Sequence, residues 1–68
     1  MFTLSEEQFE VFVEEVEFAC SISASEEEIV IDREEDVFDQ VAFFPDGGVE
    51  ERRSGDGQVW DHRELISA

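Results

Sequence analysis

A chain that carries twenty carboxylates against four basic side chains, all of them Arg, within 68 residues has to fold against its own repulsion. Its formal net charge is −16. Acidic tails that stay disordered lack apolar residues, yet 41% of this chain is hydrophobic, with seven Phe and one Trp. The combination specifies a folded core under an anionic coat. A domain of this length buries only about 60% of the surface that its unfolded chain exposes. Each large apolar residue therefore counts, and a deep pocket walled by the chain's own core is not expected. Residues 1–68 read as one compact acidic domain.

The clearest periodicity lies at residues 3–19, where Phe9, Phe12, Val13, Val16 and Ala19 or Cys20 follow the i, i+3, i+4, i+7 pattern of an amphipathic helix. Two overlapping capping boxes precede it, Thr3 with Glu6 and Ser5 with Gln8. Alternation at Cys20–Ser23 and the β-branched run Ile29–Ile31 predict a hairpin of residues 19–23 and 28–32 around Ala24–Glu28. The competing reading caps a second helix with Ser25 and Glu28. Residues 33–44 fit either a short helix or a strand over Val41–Phe44. Pro45-Asp46-Gly47-Gly48 is a turn, and Val49–Arg53 and Gln58–His62 flank a second hairpin turn at Ser54–Gly57. Trp60 is expected in the core, and residues 63–68 as a short tail held by Leu65 and Ile66. The fold class is α+β, an N-terminal amphipathic helix packed on a small antiparallel sheet.

Several chemistries lack their residues. Lone Cys20 makes no internal disulfide and reads as a small buried hydrophobe in a reducing cytoplasm. The N-terminus has no basic segment and carries Glu6, Glu7 and Glu10, so neither a signal peptide nor a membrane span is expected, and anionic membranes should repel the chain. His62, the one histidine, stands beside Asp61 without a nucleophile at a recognisable spacing, and no enzymatic activity is expected. Neither an EF-hand pattern nor a P-loop is present, so no cofactor or specific metal is expected. Direct nucleic-acid binding is disfavoured by the sign of the charge.

The arrangement of the acids remains. Glu7, Glu10, Glu14 and Glu17 fall at i, i+3, i+7, i+10, one stripe beside the apolar face of the first helix. Neighbours on such a stripe stand about 5–6 Å apart at Cβ, comparable to successive phosphates along a nucleic-acid strand. No Lys or Arg follows any of them at i+4. A second cluster is Glu26, Glu27 and Glu28; a third is Glu34, Glu35, Asp36 and Asp39.

In its small size, acidity and lack of Lys, the chain resembles the DNA-mimic inhibitors of phages and mobile elements, most of all the DNA-mimicking anti-CRISPR proteins that act on type I Cascade complexes. The resemblance covers the whole chain and rests on composition. It implies a stoichiometric inhibitor, monomeric and working in the host cytoplasm, that occludes a basic DNA-binding surface where the protospacer-adjacent motif is read. The partner would be a basic nucleic-acid-binding protein or complex, such as the Cas proteins of Cascade, met by the three acidic clusters. Two other readings share the composition: an immunity- or antitoxin-type binder of a basic nuclease, and a halophile-adapted domain whose acids hold water and salt.

Overall fold

The computed structural model describes residues 2–35, 37–55 and 58–66, with 54–55 and 58–62 described by backbone alone. One helix, α1 (Glu6–Val16), precedes five strands: β1 (Ala19–Ala24), β2 (Ile29–Arg33), β3 (Gln40–Phe43), β4 (Val49–Gly55) and β5 (Gln58–Ile66). Each strand pairs antiparallel with the next, in the order β1-β2-β3-β4-β5. The fold is the expected α+β arrangement with its helix at the N-terminus.

Of the two capping boxes, Ser5 with Gln8 forms. Ser5 Oγ accepts the Gln8 N–H at 3.2 Å, and Gln8 Oε1 accepts the Ser5 N–H at 2.8 Å. The face that α1 turns to the sheet differs from the one the apolar periodicity predicts. Phe12 faces inward, its ring edge-to-face with Phe43 at 5.7 Å. Phe9, Val13 and Val16 are 57%, 51% and 38% exposed. The inward face centres instead on Gln8 and Glu15, flanked by Val11 and Phe12, because both polar side chains have partners on the sheet. The core beneath is Ile29, Ile31, Val41, Phe43 and Val49, with Phe2, Leu4, Ala19 and Ile66 packed against it.

The first hairpin forms where expected, and Ser25 serves its turn rather than a second helix. Its N–H donates to the Glu28 carbonyl at 2.9 Å, and its Oγ accepts the N–H groups of Glu27 and Glu28. Residues 33–44 resolve to a strand over Gln40–Phe43. Val41, Ala42 and Phe43 are all fully buried, as suits a strand at the middle of the sheet, paired with β2 on one side and β4 on the other. The Pro45–Gly48 turn places Gly47 at φ 97°, where a side chain would be strained. Cys20 is exposed, against expectation, because β1 is an edge strand and the pairing register shifts between Ala19 and Ser21. The expected tail is also strand. Arg63 pairs with Glu51 and Ile66 with Val49, extending β5 to Ile66. The Trp60 side chain lies outside the described residues, as do Asp56 and Gly57 of the second turn.

Candidate acidic binding surface

Glu6, Glu7, Glu10, Glu14 and Glu17 are all exposed on the arc of α1 turned away from the sheet. At 1.5 Å of rise per residue, the stripe from Glu7 to Glu17 runs about 15 Å. No basic residue stands in the last helical turn, so Glu14 and Glu17 oppose the helix dipole as well as each other.

The other two clusters stand at opposite ends of β2. Glu26 and Glu27 are exposed at the β1–β2 turn, at the end of the sheet where Gln8 meets the β3–β4 turn. Glu28 differs from them: both its oxygens accept from Arg52, at 3.0 and 3.2 Å, which fixes it to the sheet. Glu34 and Glu35 are exposed at the far end, beyond Arg33. Asp39 is half-buried and its carbonyl accepts the Arg33 N–H at 2.8 Å. Asp36 lies outside the described residues. The C-terminal end of the helical stripe and the Glu34–Glu35 pair therefore share one end of the molecule, joined through the Arg33–Glu15 contact.

Three of the four arginines are committed to particular acids within the fold. Arg33, almost fully buried, donates Nη1 to Glu15 at 2.7 Å and Nη2 to Glu51 at 3.1 Å and to the Phe38 carbonyl at 2.6 Å. Arg63 also bonds Glu51 and lies over the Phe38 ring. On the opposite face of the sheet Arg52 joins Glu28 to Glu50 and covers the Phe44 ring at 5.5 Å. Burial disfavours the Arg33 charge, but the hydrogen bonds to Glu15 and Glu51 outweigh it and hold the guanidinium above its ordinary pKa. Hydrogen bonding to Glu28 raises Arg52 in the same direction, against a smaller cost of burial. Burial also pushes the Glu51 carboxyl up, and the hydrogen bonds from Arg63 and Arg33 more than reverse it, leaving Glu51 below the usual carboxylate range. None of these three arginines makes an ion pair with Glu7, Glu10, Glu14 or Glu17.

Acid should therefore weaken the fold. The stabilisation from Glu51 is complete above the ordinary carboxylate pKa and is lost as pH falls through its depressed value. Melting temperature should drop below about pH 4. Thermal melts followed by circular dichroism from neutral to acid pH check it. A melting temperature that holds level or rises to the most acidic buffer would show that Glu51 does not hold the helix-side network.

A shallow hollow of ≈ 200 Å³ beside the β3–β4 turn, lined in part by Asp46, Glu50 and Glu64, extends the acidic surface to the end of the sheet. Among the described residues no helix is long and apolar enough to cross a membrane. No protein-family model, curated protein or solved structure matches the chain.

Sequence patterns did not single out Glu15, Arg33 and Glu51, and they marked Gln8 only as a capping residue, not as the anchor of the helix on the sheet. One signal was present: Gln8 and Glu15 are seven residues apart and flank the inward-facing pair Val11 and Phe12. Arg33, closing a strand of Ile29, Val30 and Ile31, was another, since a long cation at the end of an apolar run needs a buried counterion.

Proposed function

We propose that the protein is a nucleic-acid mimic, a stoichiometric inhibitor that uses surface carboxylates to occlude a basic DNA-binding groove. The proposed target is the surface of a CRISPR-Cas effector complex of the Cascade type that receives the protospacer-adjacent motif, in the host cytoplasm. One observation carries the reading. The outer arc of α1 keeps Glu7, Glu10, Glu14 and Glu17 exposed and without an ion pair to Arg33, Arg52 or Arg63, against the helix's own electrostatics. Those arginines anchor Glu15, Glu28, Glu50 and Glu51 instead, acids that help hold the fold. A rigid row of carboxylates on one helix face suits a groove that binds phosphates. Long-range attraction would speed association, and the binding would weaken as salt rises.

The test is competition. Binding of a target duplex to a purified type I Cascade complex is measured with and without the protein, across a salt series. Inhibition that rises with protein, falls with duplex concentration and weakens with salt is expected. The combined variant Glu7→Gln, Glu10→Gln, Glu14→Gln and Glu17→Gln should lose at least tenfold in inhibition while keeping its melting temperature. Duplex binding untouched by the protein would exclude this target; a fully active Gln variant would exclude the helical stripe.

A further inference from the structure

Most of the large apolar side chains left exposed among the described residues belong to one side of the molecule. Phe9, Val13 and Val16 stand on α1, Phe18 in the connection that follows it, and Ile22 on β1. Phe18 is 61% exposed and Ile22 47%. Apolar residues scattered singly over a surface need no explanation, whereas a contiguous group rimmed by polar residues marks an interaction site.

The handedness of helix and sheet brings these five together. α1 runs from the β3–β4 turn, where Gln8 is held, to the end of β2, where Glu15 meets Arg33. At about 100° per residue, Gln8 and Glu15 mark the inward direction. Val16, Phe9 and Val13 follow it by about 90–150°, clockwise as seen from the N-terminus. Arg33 faces the helix while its N–H reaches Asp39, just before β3. For L-residues this places β1 on the flank of Val16, Phe9 and Val13, and β5 on the other. Ile22 pairs with Ile31 and so shares the helix-side face of the core, below that flank.

Spacing says what shape the flank accepts. The Phe12 ring meets Phe43 edge-to-face, so α1 lies over β3. Neighbouring strands stand about 4.8 Å apart, which puts β1 about 10 Å to one side of β3. Packed helices also stand about 8–10 Å apart. A second helix laid beside α1 would therefore rest on β1, with Phe9, Val13 and Val16 as its wall, Ile22 as its floor and Phe18 at one end.

We infer that this shelf between α1 and β1 receives a cationic amphipathic helix of a partner protein. Charge selects the occupant. Glu6, Glu10 and Glu17 are exposed and border the wall on its solvent side, whereas residues 18–25 beneath carry no charge. The complementary helix turns apolar residues to Ile22 and Phe9 and carries Lys or Arg on the flank that meets those three carboxylates. The acidic helix of a second copy has the wrong sign. The shelf adjoins the proposed mimic surface and shares Glu10 and Glu17 with it, yet it calls for an apolar ridge that a bare phosphate-binding groove does not supply. It is independent of the proposed target, since the sign of the rim alone sets the charge of the partner.

The probe is a synthetic peptide of about 18 residues, with Leu at i, i+3, i+4 and i+7 and Lys elsewhere. It is titrated into the full chain at about physiological salt and followed by calorimetry and backbone amide shifts. One control has the same residues in an order without an apolar face; a second keeps the Leu positions and replaces every Lys with Glu. One-to-one binding is expected, at least tenfold tighter than either control, with the largest shifts at Phe9, Val13, Val16, Phe18 and Ile22. Phe9→Ser and Ile22→Ser alter exposed positions and should each weaken the amphipathic Lys peptide at least fivefold. Leu65→Ser, on the far edge strand, should leave its affinity unchanged. Affinity no better than that of either control overturns the inference, as does a preference that survives both substitutions. The titration contains neither Cascade nor duplex, so its failure and that of the proposed function are read separately.

Discussion

Arg33→Met is expected to unfold most of the molecules at room temperature. Arg33 holds together Glu15 of α1, Glu51 of β4 and the Phe38 carbonyl of the loop before β3. Methionine fills similar volume but strands Glu15 in a poorly solvated site, beside a Glu51 that keeps only Arg63. Removing one partner of a buried ion pair costs about 3–5 kcal/mol, because the remaining charge stays buried without compensation. A single-core domain this small has about 3–5 kcal/mol of stability in total. Urea titration followed by circular dichroism should find little or no folded baseline for the variant. Adding Glu15→Gln should restore part of the loss, since the second substitution removes the stranded charge while Glu51 keeps Arg63. Arg33→Lys should not rescue fully, because an ammonium cannot serve three acceptors with the geometry of a planar fork. A single variant within about 1 kcal/mol of wild type would show that the network adds little to the fold.

Gln8→Glu is the second large effect. Gln8 is 1% exposed, and its Nε2 donates to the carbonyls of Phe44 at 2.7 Å and Gly48 at 2.9 Å while Oε1 completes the capping box. A carboxylate of nearly identical shape faces both carbonyls with no hydrogen to give. Each carbonyl keeps one backbone donor, the Gly47 N–H on Phe44 and the Phe44 N–H on Gly48, but loses the amide, and a charge is confined between them, so a loss of about 3 kcal/mol follows at neutral pH. Protonation returns one donor, and the variant should recover part of its stability in mild acid. Chemical denaturation at neutral and mildly acidic pH measures both. Equal losses at the two would indicate a cause other than the two carbonyls.

These two side chains also mark where sequence patterning stops being informative. The helix was legible from Phe9, Phe12, Val13 and Val16, yet those residues do not define its buried face. The apolar set spans a broad arc, and two polar residues with specific partners, Gln8 and Glu15, decided which part of the circumference turned inward. Periodicity counts apolar residues and cannot see a hydrogen bond to a carbonyl 36 or 40 positions away. The hairpin turn at Ser25 and the Pro45–Gly48 turn were legible because local backbone chemistry sets them. For residues 33–44 local preference allowed two answers, and pairing of Val41 and Phe43 between β2 and β4 chose the strand. Strand β5 reaches Ile66 for the same reason, through partners on β4 rather than its own composition. Within the candidate site, the helical stripe followed directly from the 3.6-residue repeat. The capture of Glu28 by Arg52 did not, since 24 positions separate them.

The order of the strands bears on how the chain reaches this structure. Every strand pairs with its neighbour in sequence, so the sheet is assembled by closing a series of short loops, each at small entropic cost. The distant contacts are those that fasten the helix, Gln8 to the β3–β4 turn and Glu15 to Arg33. The meander can thus zip up from its own turns before α1 docks, which shortens the time that a highly charged chain spends without a core. Newly made molecules would then reach the folded state quickly, which matters for a chain whose own charge opposes collapse.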